Sequence, residues 1–316
     1  MPSKFILLML LAVALATLIP AIGRPDGPLH LGQVTKIGIG LIFFLHGAKL
    51  SRQNLVVGAK LWQVHALIQS TTFIVFPILG AIVYLLTAGI LPDPLRLGFF
   101  FLGALSSTIS SSVALTSIAN GNVSVAVFNA TLSGSIGMFL TPVFIALVTT
   151  TTGADFALSD AIMDILVMLL LPFMCGQLAR PLIGEIVERH TQYVSMFDRA
   201  VILLIIFTSF SSAMYEGVFS SFSVRSLTIT LGLVLLILVL GLSYITYMSR
   251  RLNLPNADKS AAVFCGATKS LSNGAPIAQI LFFGSPDLAM IMLPILLYHQ
   301  IQLIVCAHFA QKFATL

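Results

Sequence analysis

Long apolar runs are the feature of this sequence that most limits the folds open to it. A run of about 17 or more apolar residues can cross a hydrocarbon layer about 30 Å thick as a helix, because a helix pairs its own backbone groups. Ten runs lie along the 316 residues, counting shorter ones that uncharged polar neighbours lengthen. The second and the seventh are short for a span, so nine is the alternative count. The predicted spans are 5–22, 31–48, 64–86, 97–118, 123–148, 161–178, 200–214, 227–248, 261–283 and 288–309.

The composition fits a chain that lies within a lipid bilayer. Hydrophobic residues make up 58% of it and charged residues 9%, whereas a soluble domain carries roughly 25% charged residues. The predicted fold class is therefore an all-α, multi-pass membrane protein. The first run, FILLMLLAVALA after Lys4, also resembles a cleavable secretory signal, but the topology below requires it as a span.

Loop charge predicts the orientation in the membrane. Ten spans place both termini on one side, and that side gathers eleven of the sixteen lysines and arginines, against four on the other. Because short cytoplasmic loops carry the excess of basic residues, we expect both termini in the cytoplasm and the protein in the plasma membrane, which in bacteria is the inner membrane. No basic run is dense enough to indicate nucleic acid, and nothing indicates a protein partner.

A weak internal repeat divides the chain in two. The fourth run contains LGALSSTISSSVA and the ninth contains CGATKSLSNGAPIA, so a polar, small-residue stretch follows Gly103-Ala104 and Gly266-Ala267 at the same place in a five-span unit. Because five is odd, the second unit is inverted relative to the first. The predicted repeats are residues 1–155 and 156–316. Close helix packing through Ser, Thr and Gly is the alternative explanation of these stretches.

The two polar stretches predict that spans 4 and 9 are broken and cross at mid-membrane. We expect the interruptions near 106–112 and 269–274, with Gly274 and Pro276 breaking the second helix. Broken helices expose carbonyls to cations and N–H groups to anions. The candidate substrate- and ion-binding residues are Gln69, Thr72, Ser106, Ser107, Thr108, Ser110, Ser111, Ser112, Asn129, Thr268, Lys269, Ser270, Ser272, Asn273, His299 and Gln300.

Lys269 is the basic residue that falls in the middle of a span. All eleven acidic residues lie in loops or near span ends, so no carboxylate is expected beside it. A lysine at the midplane costs at least about 2.5–3.5 kcal/mol, which packing does not explain. Snorkelling to the interface is the alternative, but the side chain is too short to reach it from mid-span. The position indicates a functional role.

Enzyme signatures are missing from the sequence. It contains no G-x-S-x-G elbow, no His-Glu-x-x-His motif and no Walker A sequence, so we expect neither an enzyme nor a cofactor. Cys175, Cys265 and Cys306 lie in apolar runs without metal-ligand spacing, which is typical of buried apolar filler.

The stretches GALSSTISSSVALTSIANGNVSVAVFNATLSGSIGMFLTP and FCGATKSLSNGAPIAQILFFGSPDLAMIMLPILLYHQIQ resemble the bile acid:sodium symporter family, in particular its sodium/bile acid cotransporter 7-like branch. The resemblance extends over nearly the whole chain. It implies ten spans in two inverted five-helix repeats, a panel domain of spans 1, 2, 6 and 7, and a core domain of spans 3 to 5 and 8 to 10. It also implies two sodium ions behind the crossing of spans 4 and 9, and transport of bile acids or other organic anions.

Carried over to this chain, the family's sodium site is degenerate. The Ser-Asn pair of span 4 falls on Ser111 and Ser112, and the glutamate of span 9 falls on Thr268, directly before Lys269. What is left of the site lies near Ser111, Ser112, Thr268 and Ser272. Because hard cations need oxygen ligands and a fixed positive charge repels them, we expect poor sodium binding.

The resulting hypothesis is a secondary-active, symporter-type transporter of a small organic anion, coupled to sodium or, through Lys269, to protons. Lys269 would stand where a coupling cation otherwise sits and would offer its charge to the anion. Burial favours the neutral amine and a bound anion favours the ammonium, so the two binding events would be linked. The alternatives are a non-transporting membrane regulator or scaffold with the same fold, and a cation/proton exchanger.

Overall fold

The chain is helical throughout the part that the structure describes. The computed structural model describes residues 2–49, 61–151 and 166–314, and no strand occurs among them. Two π-helical turns, Thr71–Val75 and Leu166–Leu170, and a 3₁₀ turn, Val218–Ser221, accompany the α-helices. These are α1 Pro2–Leu18, α2 Pro20–Gly23, α3 Leu31–Lys49, α4 Trp62–Ser70, α5 Phe76–Leu86, α6 Asp93–Ala104, α7 Ile109–Ile118, α8 Val123–Thr151, α9 Leu171–Arg189, α10 Thr191–Tyr215, α11 Val224–Arg251, α12 Asn256–Ala267, α13 Leu271–Leu281 and α14 Leu288–Phe313.

Seven of the described helical stretches are long and apolar enough to cross a membrane, where α4, the π-helical turn and α5 count as one stretch, Trp62–Leu86. This confirms the multi-pass, all-α class. The pair α6 and α7, bent by 57° at its break, makes an eighth if it is counted as one span. The apolar part of α1, Lys4–Leu18, is shorter than these seven stretches. The count of ten therefore stays a prediction. The seventh run was predicted too short, because α10 has 25 residues and begins at Thr191 rather than at residue 200.

The helices group into two compact units, which do not coincide with the two predicted repeats. The first unit contains Met1–Leu50, Ala146–Phe222 and Ala275–Met290, and the second contains Ser51–Ile145, Ser223–Gly274 and Ile291–Leu316. Each unit thus draws on both halves of the chain. The division is similar to the panel and core grouping implied by the resemblance, except that residues 146–148 and 275–290 belong to the first unit.

Helix bounds recur along the chain at a constant interval. Helices α6 and α12 each have 12 residues, begin 163 residues apart and follow Pro92 and Pro255, whose backbones are nearly the same (φ −56°, ψ 142° and φ −53°, ψ 147°). The same shift carries α3 onto α10 and α8 onto α14 to within three residues. It also matches Ser106 to Lys269. This periodicity favours the predicted duplication, whose boundary at residues 155 and 156 lies outside the described residues.

Glycines allow two helices of the first unit to touch through their backbones. A Cβ on Gly47 of α3 would lie 2.1 Å from the carbonyl oxygen of Phe173, and one on Gly176 of α9 would lie 1.9 Å from that of Phe44. Contacts this close are open only to glycine, and small residues of this kind drive helix association in membranes.

We predict that Gly176→Val destabilises the protein, because the added side chain must push α3 and α9 apart, and overpacking costs about 1–3 kcal/mol. The control is Gly232→Val on α11, where an added Cβ meets nothing within 4 Å. Thermal unfolding in detergent should show a lower Tm for Gly176→Val alone. Equal Tm values for the two variants would contradict the close contact.

The orientation also stays a prediction, and α11 offers a matched pair of positions to test it. Arg225 and Arg251 lie at opposite ends of this 28-residue helix, and both are exposed. In a chain lacking its three cysteines, a membrane-impermeant thiol reagent applied outside intact cells should label Arg225→Cys and not Arg251→Cys. The reverse pattern would overturn the cytoplasmic placement of the termini.

Candidate functional site

Two helix breaks meet in the second unit. The first break, residues 105–108, separates α6 from α7, and the second, residues 268–270, separates α12 from α13. Leu105 (φ −73°, ψ 151°) and Thr268 (φ −91°, ψ 148°) are extended. The Ser270 N–H donates to the carbonyl of Ser106 at 2.9 Å, so the breaks pair through their backbones. Both predicted interruptions exist, but each starts one residue earlier and ends four residues earlier than predicted.

The residues predicted to break the second helix do not do so. Gly274 and Pro276 both lie inside α13, and a Cβ on Gly274 would lie 2.7 Å from Leu105 Cδ1. Helices in membranes tolerate proline where other groups satisfy the freed backbone. The break comes earlier, at 268–270, because tertiary hydrogen bonds replace the helical ones there. Gly274 serves close packing instead.

Each interrupted half-helix ends in a carbonyl that a hydroxyl group caps. Thr141 Oγ1 donates to the carbonyl of Ala104, the last residue of α6, and the Tyr298 hydroxyl donates to that of Ala267, the last residue of α12, both at 2.7 Å. The donors lie on α8 and α14, the helices that follow each broken pair. Since the last carbonyls of a helix have no partner within it, these two hydroxyls stabilise the breaks.

Gln302 holds the backbone of Lys269 from both sides. The Lys269 N–H donates to Gln302 Oε1 at 2.8 Å, and Gln302 Nε2 donates to the Lys269 carbonyl at 2.9 Å. Gln302 Nε2 also lies 2.9 Å from His299 Nδ1. Gln302 Nε2 is an amide nitrogen and donates in both contacts. His299 Nδ1 therefore accepts, and the His299 imidazole is neutral with its proton on its own Nε2.

The ammonium of Lys269 is enclosed by backbone oxygens. The residue is fully buried, and Nζ donates to the carbonyls of Thr72 at 3.0 Å, Gly103 at 2.9 Å and Leu105 at 2.6 Å. The ring centroid of Phe76 lies 4.3 Å from Nζ. All three N–H donors are therefore used, and the ring face adds a cation–π contact. We call Thr72, Gly103 and Leu105 the carbonyl cage.

Two of the three carbonyls, those of Thr72 and Gly103, are free because of the local backbone. The π-helical turn at Thr71–Val75 directs the Phe76 N–H to the carbonyl of Thr71, and the next residue, Pro77, has no N–H to donate. The carbonyl of Thr72 is thus left without a helical partner. At the end of α6, the Ser107 N–H donates to Ser133 Oγ at 2.9 Å, which leaves Gly103 without its usual donor.

Among the described residues of the second unit, no carboxylate lies beside the ammonium. Within the described part of the second unit the acidic residues are Asp93 and Asp258. Each lies in the first turn of a 12-residue helix whose other end forms a break, about 14–17 Å from the last residue of that helix along its axis. Asp258 accepts from Asn122 Nδ2 at 2.8 Å. The positive charge is therefore stabilised by dipoles, including the carbonyl end of α6.

A cluster of hydroxyls lies where the degenerate sodium site was predicted. Ser112 Oγ lies 2.7 Å from Thr268 Oγ1, and Ser107 Oγ lies 3.3 Å and 3.2 Å from these two atoms. The carbonyl of Phe264 accepts from both Ser112 and Thr268. Ser111 and Ser272 are half-buried and lie outside this cluster. Of the four predicted residues, Ser112 and Thr268 therefore contact each other and Ser107. The other two lie apart from them.

Other predicted residues take different places. Gln69 Nε2 donates to Asn129 Oδ1 at 3.3 Å, and Asn129 Nδ2 lies 2.8 Å from His65 Nδ1, which makes a polar cluster separate from the breaks. Asn273 Nδ2 donates to Ser106 Oγ at 3.0 Å, and Ser270 Oγ accepts from the Asn273 N–H. The hydroxyl of Thr72 turns to its own helix, so its carbonyl is what reaches Lys269.

The remaining candidates do not hold Lys269. Thr108 is buried, Ser110 is exposed and Gln300 is half-buried. Sequence reasoning did not include Phe76, Ser133, Thr141, Tyr298 or Gln302 among the candidate residues. The sequence signal that could have identified these residues is their position on the helices that flank the two breaks.

We predict that Tyr298→Phe lowers stability by about 1–3 kcal/mol, because the buried carbonyl of Ala267 loses its donor. Tyr247→Phe is the control, since that tyrosine is 54% exposed. Thermal unfolding in detergent measures both, and an unchanged Tm for Tyr298→Phe would show that another group caps the carbonyl.

Comparisons with known proteins identify the family of this chain. Residues 3–315 match the SBF-like CPA transporter family. The chain is 41% identical to an uncharacterized protein of Pseudomonas aeruginosa over 99% of its length and 93% of the relative's. It is 38% identical to "Putative symporter YfeH" of Escherichia coli, over 98% and 92%. It is 29% identical to sodium/bile acid cotransporter 7 of Rattus norvegicus, over 95% and 89%. The chain therefore belongs to the SBF-like CPA transporter family, and it is a transporter rather than an enzyme.

Proposed function

We propose that this chain is a secondary-active transporter of a small organic anion, and that protons rather than sodium drive it. The observation that carries the proposal is the ammonium of Lys269, fully buried where two broken helices meet and held by three carbonyls. Paired breaks in matched helices are typical of transporter binding sites. An ionisable group kept inside a membrane span is typical of ion and proton pathways.

The surroundings of Lys269 disfavour sodium as the driving ion. A second cation close to the ammonium would be repelled in this low-dielectric environment. The nearby oxygens of Ser107, Ser112 and Thr268 are hydroxyls that already bond to one another, and they carry no negative charge. Sodium occurs in the names of the vertebrate relatives, so sodium coupling is the alternative against which protons are tested.

A proton on Lys269 would be linked to the arrangement of both breaks. The ammonium joins the end of α6 and the π-helical turn to the second break, whereas a neutral amine donates weakly and would loosen this junction. Burial favours the neutral form, and an anion bound nearby favours the charged form. Anion binding and proton uptake would therefore strengthen each other.

The anion itself would lie outside the cage. All three Nζ donors of Lys269 are directed to carbonyls, so we no longer expect the ammonium to contact the substrate directly. The N-terminal turn of α7 is the better candidate, because Ile109 and Ser110 are exposed there and Ser111 is half-buried. A helix N-terminus attracts anions through its free N–H groups. Lys269 would then act on the anion through its charge.

The test is uptake of a bile acid anion, taurocholate, into proteoliposomes under a proton gradient alone and under a sodium gradient alone. We predict uptake with the proton gradient, loss of uptake in Lys269→Met, and normal uptake in Lys259→Met, the control on α12. Lys269→Arg keeps the charge permanently and should slow turnover more than it weakens binding. Each variant must first show an unchanged elution profile in detergent.

Three outcomes would contradict the proposal. Uptake driven by sodium at constant pH, with no proton movement, would restore sodium coupling. Proton movement with no dependence on any organic anion would indicate a cation/proton exchanger. A folded protein without flux of taurocholate or of other organic anions would favour the regulator or scaffold.

A further inference from the structure

The carbonyl cage is built by elements that do not include Lys269. Thr72 belongs to the π-helical turn, while Gly103 and Leu105 belong to the end of α6 and the residue after it. Their oxygens converge on Nζ at 2.6–3.0 Å. We propose that the cage is a binding site for one monovalent cation of ammonium type, and that the chain fills it with its own side chain.

The convergence is fixed by the backbone and would survive removal of the lysine. Pro77 cannot donate to Thr72, and the Phe76 N–H is directed to Thr71. The Ser107 N–H is directed to Ser133 Oγ and not to Gly103. Truncating Lys269 therefore leaves three buried acceptors: the backbone donors of Thr72 and Gly103 are absent or engaged elsewhere, and Leu105 is extended beyond the end of α6. Buried acceptors without a donor are costly, so the vacated cage should attract a cation from solution.

Phe76 gives a second, independent indication of the ligand. Its ring is fully buried and its centroid lies 4.3 Å from Nζ. Aromatic faces attract organic ammonium groups, while rings of backbone carbonyls replace the water around potassium in channel filters. The combination of carbonyls and a ring face favours ammonium and short alkylammonium ions, with potassium and sodium next.

The test compares Lys269→Ala, which opens the cage, with Lys269→Met, which fills the same space without a charge. Both are purified in choline chloride, and Tm is measured while choline is replaced by ammonium, methylammonium, propylammonium, potassium or sodium. A ligand present at 100 times its Kd shifts the folding equilibrium about 100-fold. We expect Tm of Lys269→Ala to rise with the logarithm of cation concentration, and Tm of Lys269→Met and of the unmodified protein to stay level.

The arms of the experiment identify the ligand. A response to alkylammonium ions that is reduced by adding Phe76→Leu supports the cage together with its ring. An equal response to potassium and sodium supports the carbonyls alone. The proposal is overturned if no cation moves Tm of Lys269→Ala relative to choline, or if Lys269→Met responds equally. It is also overturned if Lys269→Ala folds in none of these salts.

This inference shares Lys269 with the proposed function but measures binding without any gradient. A failed rescue leaves the uptake result standing, and absent uptake leaves the rescue standing. The two measurements therefore test the cation site and the proposed transport function independently of each other.

Discussion

A buried carbonyl group needs a donor, and this requirement shapes the second unit of the protein. The core of a bilayer contains no water that could satisfy backbone groups. Each interruption of a helix therefore leaves carbonyl oxygens for which the protein itself must provide donors. Thr141 and Tyr298 pair two of them, and Lys269 pairs three more. The lysine is tolerated for the same reason that the carbonyls are, because each compensates the other.

This mutual compensation gives the site its rigidity and its sensitivity. Gln302 fixes the backbone of Lys269 while the cage fixes its side chain, so the residue is held at both ends. Removing one partner from such a network leaves the others unsatisfied, which makes the loss larger than any single hydrogen bond. A proton on Nζ is thus linked to the π-helical turn and the end of α6 through direct contacts, and to α14 through the backbone of Lys269.

The sequence predicted the helical class, the two interruptions and the importance of Lys269, because apolar length and a charge within a span are local signals. It misplaced the cause of the second break, since Gly274 and Pro276 look like helix breakers when tertiary partners are unknown. It did not assign Gln302 or Phe76, whose roles depend on which helices become neighbours. The sequence shows that Pro77 has no N–H to donate. It does not show that the π-helical turn directs the Phe76 N–H to Thr71, so the free carbonyl of Thr72 could not be predicted.

The matched positions Ser106 and Lys269 have a consequence for direction. In the inverted duplication that the sequence predicts, two identical halves would present equivalent surfaces to the two sides of the membrane, and exchange of their conformations would cost nothing. Here a short hydroxyl side chain stands at one position and a long cation at the other. In such a duplication the two conformations would differ in free energy, and the protein would have a preferred resting face.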